Sequence, residues 1–366
     1  MTEPIAVPEV PGAPEAAGAS EAPPTRPATI RDVAREAGVS KSLVSLVFNG
    51  GENVSEERRR RVLHAAERLG YRPNLVAQSL SAGRRDFVAI LVSNLHNPLF
   101  AEIVGAAKAR LAEAGQRTMI VSAQVDDGGG SAVLDRDNIA VLRDLRPSGL
   151  ITVGTIPGFA ELGDLTATIP TVVASAIDAT EDVVATVRSD DNAGLDLVVA
   201  HLAEQGVERI AFVGGDGGTV SASREAAFRT SVGARGFGDN AWVERADFTE
   251  AGARRAVARL LAEDRLPQAI IAVNDLTAIG VITALEEAGV PVPGGCRVAG
   301  YDDTTLSAIP RISLTSVDPD NRRIGRVAAE ALLDGSGEPI GDRRIGEVLI
   351  PPRLVVRGSS HATPPQ

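Results

Sequence analysis

The sequence predicts an α/β protein with a small helical head and a large body, in which doubly wound parallel sheets form two lobes. Three observations predict this fold class. Residues 29–70 carry three short helix patterns in succession. From Phe87 onward, short apolar strands alternate with amphipathic helices, which is typical of parallel sheets covered on both faces. The strands fall into two series over roughly 270 residues, too much chain for one small sheet, which indicates two lobes.

Composition excludes several classes of protein. Of the 366 residues, 44% are hydrophobic and 23% are charged, as in a globular protein with a sizeable core. No apolar run reaches the roughly 18–20 residues that a membrane-spanning helix needs, and Met1–Arg26 lacks the regions of a signal peptide. The single cysteine, Cys296, excludes an intrachain disulfide, and the four histidines do not fall at metal-ligand spacing. We therefore expect a cytoplasmic protein with no metal and no cofactor.

The charge of the chain is unevenly distributed. The net charge is −11, yet residues 26–85 carry twelve Arg or Lys against six Asp or Glu. Residues 1–25 carry four Glu and no base. A small basic module on a large acidic body is the charge layout of a DNA-binding head joined to a body that binds something else.

Five segments are predicted along the chain. Residues 1–27 are rich in Pro, Ala, Glu and Gly without an apolar period, so we expect a disordered tail there and a second one at 358–366. Between the tails we expect the head at 28–72, a hinge at 73–85 and the two-lobed body at 86–357.

The head has the layout of a helix-turn-helix followed by a third helix. Thr29 and Asp32 stand at capping-box spacing at the start of the first helix. Ser40 is predicted to cap a second helix over 41–48, and Ser55 to cap the third. The turn between the first two helices is short and contains glycine, as this motif requires.

The elements of the body follow from apolar runs and helical periods. The two series of predicted strands are Val88–Val92, Thr118–Ser122, Leu150–Val153 and Thr171–Ala174, then Arg209–Val213, Ala269–Val273 and Arg297–Gly300. The predicted helices between them include Ala101–Ala114, Ala193–Gln205, Arg254–Ala262 and Thr277–Ala288. A small molecule would bind such a body between its lobes, beyond the carboxyl ends of the strands.

Several motifs, taken in order, resemble one known family. They include Thr29-Ile30-Arg31-Asp32-Val33-Ala34, Ala37-Gly38-Val39-Ser40, Gly70-Tyr71-Arg72-Pro73-Asn74, Asn97-Pro98-Leu99-Phe100, Asn274-Asp275 and Gly300-Tyr301-Asp302-Asp303. Over residues 28–357 the chain resembles the LacI/GalR family of transcriptional repressors. The resemblance implies a helix-turn-helix head, a hinge and a two-lobed body like that of periplasmic binding proteins.

The function that the resemblance implies is sequence-specific DNA binding by a transcriptional regulator, expected to be a repressor. A small effector between the lobes would control its affinity for a double-stranded DNA operator. We expect a homodimer, because one recognition helix reads about 3–5 base pairs, too few for specificity. We expect a carbohydrate as effector, since an Arg and an Asp facing one cleft suit pairs of sugar hydroxyls. No membrane partner is expected.

The resemblance also implies which residues contact DNA. Base reading falls to Lys41 and Ser42, and a lysine can donate to guanine O6 and N7. Contacts to the phosphate backbone and its surroundings fall to Ser40, Ser45, Asn49, Ser55, Thr29 and Ile30. In the hinge the implied contacts are Asn74, Ala77 and Leu80. The leucine is expected to wedge between base steps, and a buried linker leucine is the alternative.

The chain departs from the family pattern at two positions of the second helix. The family usually has Thr and Arg where this chain has Leu43 and Leu46. Leu46 can make only an apolar contact, for example to a thymine methyl group. The base pair read at that position is therefore left open.

The effector contacts implied by the resemblance are polar or aromatic residues at the ends of strands or on the helix that follows one: Phe100, Arg224, Phe248, Asn274 and Asp302. Asp275 is interpreted as a structural residue that caps the next helix. Ser175 and Asn321 stand where some sugar-binding members have an acid and an aromatic residue, which leaves the identity of the effector open.

Three alternative functions compete with this one. A sugar-binding transport component shares the two-lobed body, but it needs an export signal and has no head. An enzyme is disfavoured because the Gly-rich run at 214–218 has neither the P-loop Lys-Ser/Thr nor the Rossmann spacing. A purine-type repressor that needs a corepressor is the alternative within the family.

Overall fold

The computed structural model describes residues 26, 28–48, 54–72, 87–126, 132–177, 183–334, 336–337, 339 and 344–361. The chain divides into two compact units, Met1–Gly83 and Arg84–Gln366. We call them the head and the body.

Among the residues of the head that the structure describes there are three helices: α1 (Ile30–Ala37), α2 (Lys41–Phe48) and α3 (Glu56–Arg68). Thr29 and Asp32 are joined as their capping-box spacing predicts. The Asp32 carboxylate accepts hydrogen bonds from the Thr29 backbone N–H at 3.0 Å and from the Thr29 hydroxyl at 2.7 Å. Gly38 ends α1 with a φ of 65°, a left-handed conformation that glycine adopts at little cost.

The head has a small apolar core of its own. Val33, Val44 and Val62, one from each helix, are fully buried. The ring of Phe48 packs 5.6 Å from the ring of Tyr71 beside them. Helix α2 turns Val44 and Val47 into this core, which leaves its other side chains at least partly open.

The body contains the remaining elements. In chain order, its first part consists of β1 (Phe87–Val92), α4 (Pro98–Glu113), β2 (Arg117–Ser122), β3 (Gln124–Asp126), β4 (Ala132–Leu134), α5 (Arg136–Leu145), β5 (Gly149–Val153), α6 (Gly163–Thr166), β6 (Thr171–Ala174) and β7 (Ala185–Ser189). Its second part consists of α7 (Asp191–Glu204), β8 (Ile210–Gly215), α8 (Thr219–Ala234), β9 (Ala241–Ala246), α9 (Glu250–Ala262), β10 (Ala269–Ala272), α10 (Asp275–Glu287), β11 (Arg297–Tyr301), β12 (Thr315–Asp318), α11 (Asn321–Leu332), β13 (Gly346–Ile350) and β14 (Arg353–Val355).

Two six-stranded sheets define the two lobes. Lobe 1 has the strand order β13-β7-β6-β5-β1-β2, with every pair parallel. Lobe 2 has the order β14-β12-β11-β10-β8-β9, which is parallel except for the edge strand β14. The chain passes between the lobes after β7, after β12 and between β13 and β14. The antiparallel edge strand is the one departure of these sheets from the predicted parallel arrangement.

Each sheet is covered by apolar layers on both faces, which makes the fold doubly wound as predicted. Val88, Ile90 and Val92 pack on the same side of β1 as α4 and α11. Ala89 and Leu91 point to the other side, toward α5. Successive residues of a strand alternate between faces, so a strand buried on both faces reads as a continuous apolar run.

The predicted strands and helices of the body are all present, with ends shifted by a few residues. The sequence analysis did not predict β3, β4, β7, β9, β12, β13 and β14, nor the helices α5, α6 and α11. The missed strands are short or carry polar residues, and several lie at or near a sheet edge, so they lack the long apolar run that marks a central strand.

The prediction of a disordered tail at 358–366 is wrong for its first residues. Ser359 and Ser360 are buried, with 3% and 0% of their surface exposed. The Thr315 N–H donates to the Ser359 hydroxyl at 2.8 Å, and the Ser360 and Thr315 hydroxyls are 2.6 Å apart. These small polar residues look like a tail by composition, yet hydrogen bonds to lobe 2 hold them. The predicted tail at 1–27, apart from Arg26, lies outside the described residues.

In the part of the chain that the structure describes, no helix is long and apolar enough to cross a membrane. No group of three His, Cys, Asp or Glu residues is placed to hold a metal ion within that same part.

Candidate functional site

One face of α2 is open on the head. Lys41 and Ser42 are exposed in its first turn, Ser45 is half-buried, and Leu46 keeps 39% of its surface exposed. Ser40 caps the helix as predicted, because its hydroxyl accepts a hydrogen bond from the Leu43 N–H at 3.2 Å. The side chains expected to read bases therefore lie at the beginning of an exposed helix face, where the helix dipole also favours a phosphate.

The other predicted DNA contacts lie in different surroundings. Thr29 and Ile30 are half-buried at the start of α1. Ser55 is exposed and occupies the N-cap position of α3 as predicted, but its side chain makes no capping hydrogen bond. The remaining predicted contacts lie outside the described residues: Asn49, Asn74, Ala77 and Leu80.

In the body, a cavity of about 450 Å³ lies between the lobes, at the carboxyl ends of both sets of strands. All five residues that the sequence assigned to an effector line it: Phe100, Arg224, Phe248, Asn274 and Asp302. They come from separate loops and helices that the fold brings together. This is the position at which two-lobed α/β folds bind small molecules.

Lobe 1 contributes a wall of small neutral polar groups to the cavity. Ser93 follows β1, Thr155 follows β5 and Ser175 follows β6. Gln124 reaches the cavity from the β3–β4 hairpin, and Asn97 caps α4 with its side-chain oxygen on the Leu99 N–H at 3.1 Å. Ser175 has a φ of 56°, an uncommon conformation for a serine.

Arg224 is the centre of the lobe 2 wall. Only 5% of its surface is exposed. It donates to Asp302 Oδ1 at 3.1 Å, to Asp191 Oδ1 at 3.3 Å and to the Val273 carbonyl oxygen at 2.6 Å. Its guanidinium carbon also lies 3.7 Å from the centre of the Tyr301 ring. Burial would lower the pKa of Arg224, but the two carboxylates outweigh burial and raise it, so the residue stays charged.

Asp302 is equally buried, with 2% of its surface exposed. Burial raises the pKa of its carboxyl to about 6, although Arg224 and the side chain of Asn97 favour the ionised form. Asn97 belongs to lobe 1 and lines the same cavity as Asp302. The Asn321 side-chain N–H also donates to the Asp302 carbonyl oxygen at 3.0 Å, which connects the site to the first residue of α11.

The sequence predicts Asp275 as the cap of α10, but Asn274 is the residue that caps this helix. Asn274 is the N-cap of α10, since its side-chain oxygen accepts from the Thr277 N–H at 2.9 Å. Asp275 does not cap this helix. Its carboxylate accepts from the N–H and hydroxyl of Thr304 and from the Ser316 hydroxyl, at 2.6–2.8 Å. Asp275 is structural as predicted, but it connects α10 to the loop after β11, through Thr304, and to strand β12, through Ser316.

Phe248 closes one side of the cavity, and Gly217 makes room for it. A Cβ atom on Gly217 would lie 2.8 Å from Phe248 Cδ2, and the φ of Gly217 is 97°. A larger residue at 217 would therefore push the aromatic ring. Phe248, which the sequence resemblance implies to be an effector contact, is thus among the residues that line the cavity.

Comparisons with known proteins identify the two parts of the chain that contain these sites. Residues 29–74 match the model for bacterial regulatory proteins of the lacI family, and residues 199–360 match the model for a periplasmic binding protein-like domain. The chain is 31% identical over 336 residues to the HTH-type transcriptional repressor PurR of Photobacterium profundum, a match that covers 91% of this chain and 98% of the relative. This chain belongs to the LacI family of bacterial regulatory proteins.

Solved structures of the family share the whole architecture. The lac repressor dimer bound to operator and the anti-inducer ONPF has a TM-score of 0.77 at 27% identity, covering 92% of this chain and 100% of that one. The complex of the transcriptional regulator CelR with cellobiose has a TM-score of 0.65 at 27% identity, covering 91% and 99%. This LacI-family protein is a DNA-binding transcriptional regulator whose body binds a small-molecule effector.

The sequence reading missed other members of the cavity and its support. Gln124 and Thr155 line the cavity, and the Tyr301 hydroxyl lies 2.9 Å from the Ser189 hydroxyl beneath it. The position just after β5 could have identified Thr155. No local signal identifies Gln124, because the hairpin that places it was not predicted.

The buried carboxyl of Asp275 predicts a pH-dependent stability. Burial and the nearby Asp302 charge raise its pKa to about 7. The folded protein thus keeps this proton up to about pH 7, whereas the unfolded chain releases it near pH 4. Since the unfolded state then binds fewer protons, this group makes the free energy of unfolding fall as the pH rises from about 4 to 7.

We expect the stability advantage of the wild type over Asp275→Asn to shrink by about 2–4 kcal/mol across that pH range. Urea denaturation of both proteins at about pH 4.5 and about pH 7.5, on either side of the transition, measures it. Equal differences at the two pH values would show that Asp275 is ionised throughout.

Proposed function

We propose that this LacI-family protein is a homodimeric repressor that binds a near-palindromic operator and releases it when a carbohydrate occupies the cavity between the lobes. The observation that carries the proposal is the pairing of Arg224 with Asp302 in a cavity closed by Phe248. Such a pair offers hydrogen-bond donors and acceptors at fixed spacing to neighbouring hydroxyls. The aromatic ring offers an apolar face to the C–H side of a sugar.

The DNA contacts follow from the exposed beginning of α2. Lys41 and Ser42 read base edges in the major groove, and Leu46 makes an apolar contact there. Ser40, Ser45, Asn49 and Ser55 hold phosphates, together with Thr29 and Ile30. In the hinge, Asn74 and Ala77 lie at the minor groove and Leu80 wedges between base steps.

Two heads are needed for specific recognition, since one recognition helix reads too few base pairs. The related lac repressor in the operator complex is a dimer, which supports a dimer here. The protein works in the cytoplasm, where its operator is, and acts by binding rather than by catalysis.

Coupling between effector and operator rests on differential binding. An effector that prefers one arrangement of the lobes shifts operator affinity, and the operator shifts effector affinity by the same factor. In this coupling the hinge segment is residues 75–80, which are too few to form a stable helix alone. A change in lobe arrangement that separates two such segments would melt them and release the DNA.

The experiment that tests this function has two steps. First, selection from a random duplex library with the purified protein is expected to return one near-palindromic sequence. Second, that duplex is titrated with protein in the presence of carbohydrates, cellobiose among them, and of nucleobases. Release by a carbohydrate supports the proposal. Tighter binding caused by a nucleobase would instead favour the purine-type corepressor function, and selection of no common sequence would contradict DNA-specific regulation.

Lys41→Ala is expected to relax base preference at one position in each half-site. The lysine is exposed in the first turn of α2, where its ammonium reaches a base edge, and one good base contact is worth about 1–3 kcal/mol. Repeating the selection with the variant measures the change. Arg58→Ala, on an exposed part of α3, serves as the control with an equal change in charge. An unchanged sequence logo for Lys41→Ala would contradict the base-reading role.

A further inference from the structure

We propose that the effector is an uncharged polyhydroxylated molecule, and that the cavity excludes phosphorylated or carboxylated molecules of the same shape. This inference rests on the proposed function of the cavity and names the chemical class that it selects. Three properties of the described lining lead to it: its formal charge, the saturation of its arginine and the capping of two of its three helix N-termini.

The cavity has no excess of positive charge. Among the lining residues that the structure describes, Arg224 and Asp302 are the charged ones, so their formal charges cancel. Arg224 also pairs with Asp191, which is 5% exposed and whose other carboxylate oxygen is contacted by Arg188 at 3.4 Å. An added anion would therefore meet no unpaired cation among the described lining residues, in a place that water screens weakly.

Arg224 has little capacity left for an anion. Its Nε, Nη1 and Nη2 each donate to an acceptor of the protein, and Tyr301 covers one face of the guanidinium. The guanidinium N–H groups that could bind a phosphate through two parallel hydrogen bonds therefore already donate to Asp191, Val273 and Asp302. The N–H groups that remain can each donate singly, which suits a hydroxyl.

Three helix N-termini lie at the cavity, and such ends commonly bind anions. In α4, Pro98 has no N–H, and the Leu99 N–H is taken by Asn97. In α10, the Thr277 N–H is taken by Asn274. The N-terminus of α8 differs, because Gly218 at its N-cap position provides no side-chain cap. Two of the three helix ends are thus occupied by side chains of the protein itself.

The opposite wall provides what a polyol needs. It presents hydroxyl and amide side chains, each of which can both donate and accept: Ser93, Asn94, Asn97, Gln124, Thr155 and Ser175. No Lys or Arg is among the described lining residues of lobe 1. A molecule with hydroxyls on both sides would satisfy this wall and Asp302 together.

The test compares matched pairs of probes on the full-length protein. Thermal shift and calorimetric titration are run with glucose, galactose, fructose and cellobiose, and with glucose 6-phosphate, galactose 6-phosphate, fructose 1-phosphate and gluconate. We expect binding within the neutral set and at least about tenfold weaker binding of each charged counterpart, because the anion would lose its hydration without gaining an unpaired cation. Binding confined to charged probes, or no binding by any neutral probe, would overturn the inference.

A charge placed on the lobe 1 wall tests the electrostatic reason. Gln124→Lys puts a cation into the cavity lining and is expected to recover binding of the phosphorylated counterpart of the neutral ligand. Val125→Lys is the matched control, since Val125 is the next residue of the same hairpin, is 50% exposed and does not line the cavity. Absence of any gain by Gln124→Lys, or an equal gain by both variants, would show that local charge does not exclude anions.

Failure of this inference is distinguishable from failure of the proposed function. The selection of an operator depends on the head and does not use the sugar probes. If the protein selected a palindrome and a sugar phosphate released it, the proposed function would stand and the inference about the cavity would be contradicted. If the protein selected no sequence but bound a neutral sugar, the proposed function would be contradicted and the inference about the cavity would stand.

Discussion

Arg224→Met is expected to destabilise the body by about 3–5 kcal/mol, the cost of removing one partner from a buried ion pair. Methionine fills much of the volume but removes the cation that pairs with the buried Asp302, and it leaves Asp191 with Arg188 alone, at 3.4 Å. The Val273 carbonyl oxygen also loses a donor, and Tyr301 loses the guanidinium packed on its ring. Urea denaturation followed by circular dichroism measures the loss.

Arg229→Met is the matched control for this prediction. Arg229 lies on the same helix, α8, and pairs with Glu225 at 2.9 Å, but 56% of its side chain is exposed. An exposed pair of this kind contributes about 0–1 kcal/mol. If the two variants lost similar stability, Arg224 would not hold the two carboxylates in place.

Asp302→Asn is expected to abolish the response to the effector while leaving effector-free operator binding unchanged. The asparagine keeps the shape of the side chain, and Arg224 keeps Asp191 as a partner. What is lost is a charged acceptor inside a buried site, a change that costs about 2–5 kcal/mol in binding. We therefore expect effector affinity to fall by at least about thirtyfold, measured by titration of the protein–operator complex.

Asp303→Asn is the control for this second variant. Asp303 is the adjacent carboxylate, but it pairs with Arg357 at 2.7 Å and does not line the cavity. Its response to the effector is expected to be normal. Loss of operator binding by Asp302→Asn without effector would show that Asp302 supports the fold of the body, and a normal response would contradict its role in the cavity.

Local signals in the sequence determined the head and the central strands. Helix α2 has the predicted bounds because Ser40 caps its first turn and Val44 and Val47 repeat at a helical spacing. The central strands were found because burial on both faces demands an unbroken apolar run, as in β1 and β10. The candidate cavity residues were found in part because polar groups just after such strands meet at one edge of a sheet.

Tertiary structure alone decided the contacts between distant parts of the chain. The two carboxylate partners of Arg224 lie 33 and 78 residues away along the sequence. Ser360 is hydrogen-bonded to Thr315, the first residue of β12. The hairpin that carries Gln124 has no apolar run to mark it. Hydrogen bonds and ion pairs of this kind depend on the distance between two atoms after folding. A local pattern records how each segment folds and not which distant group it meets.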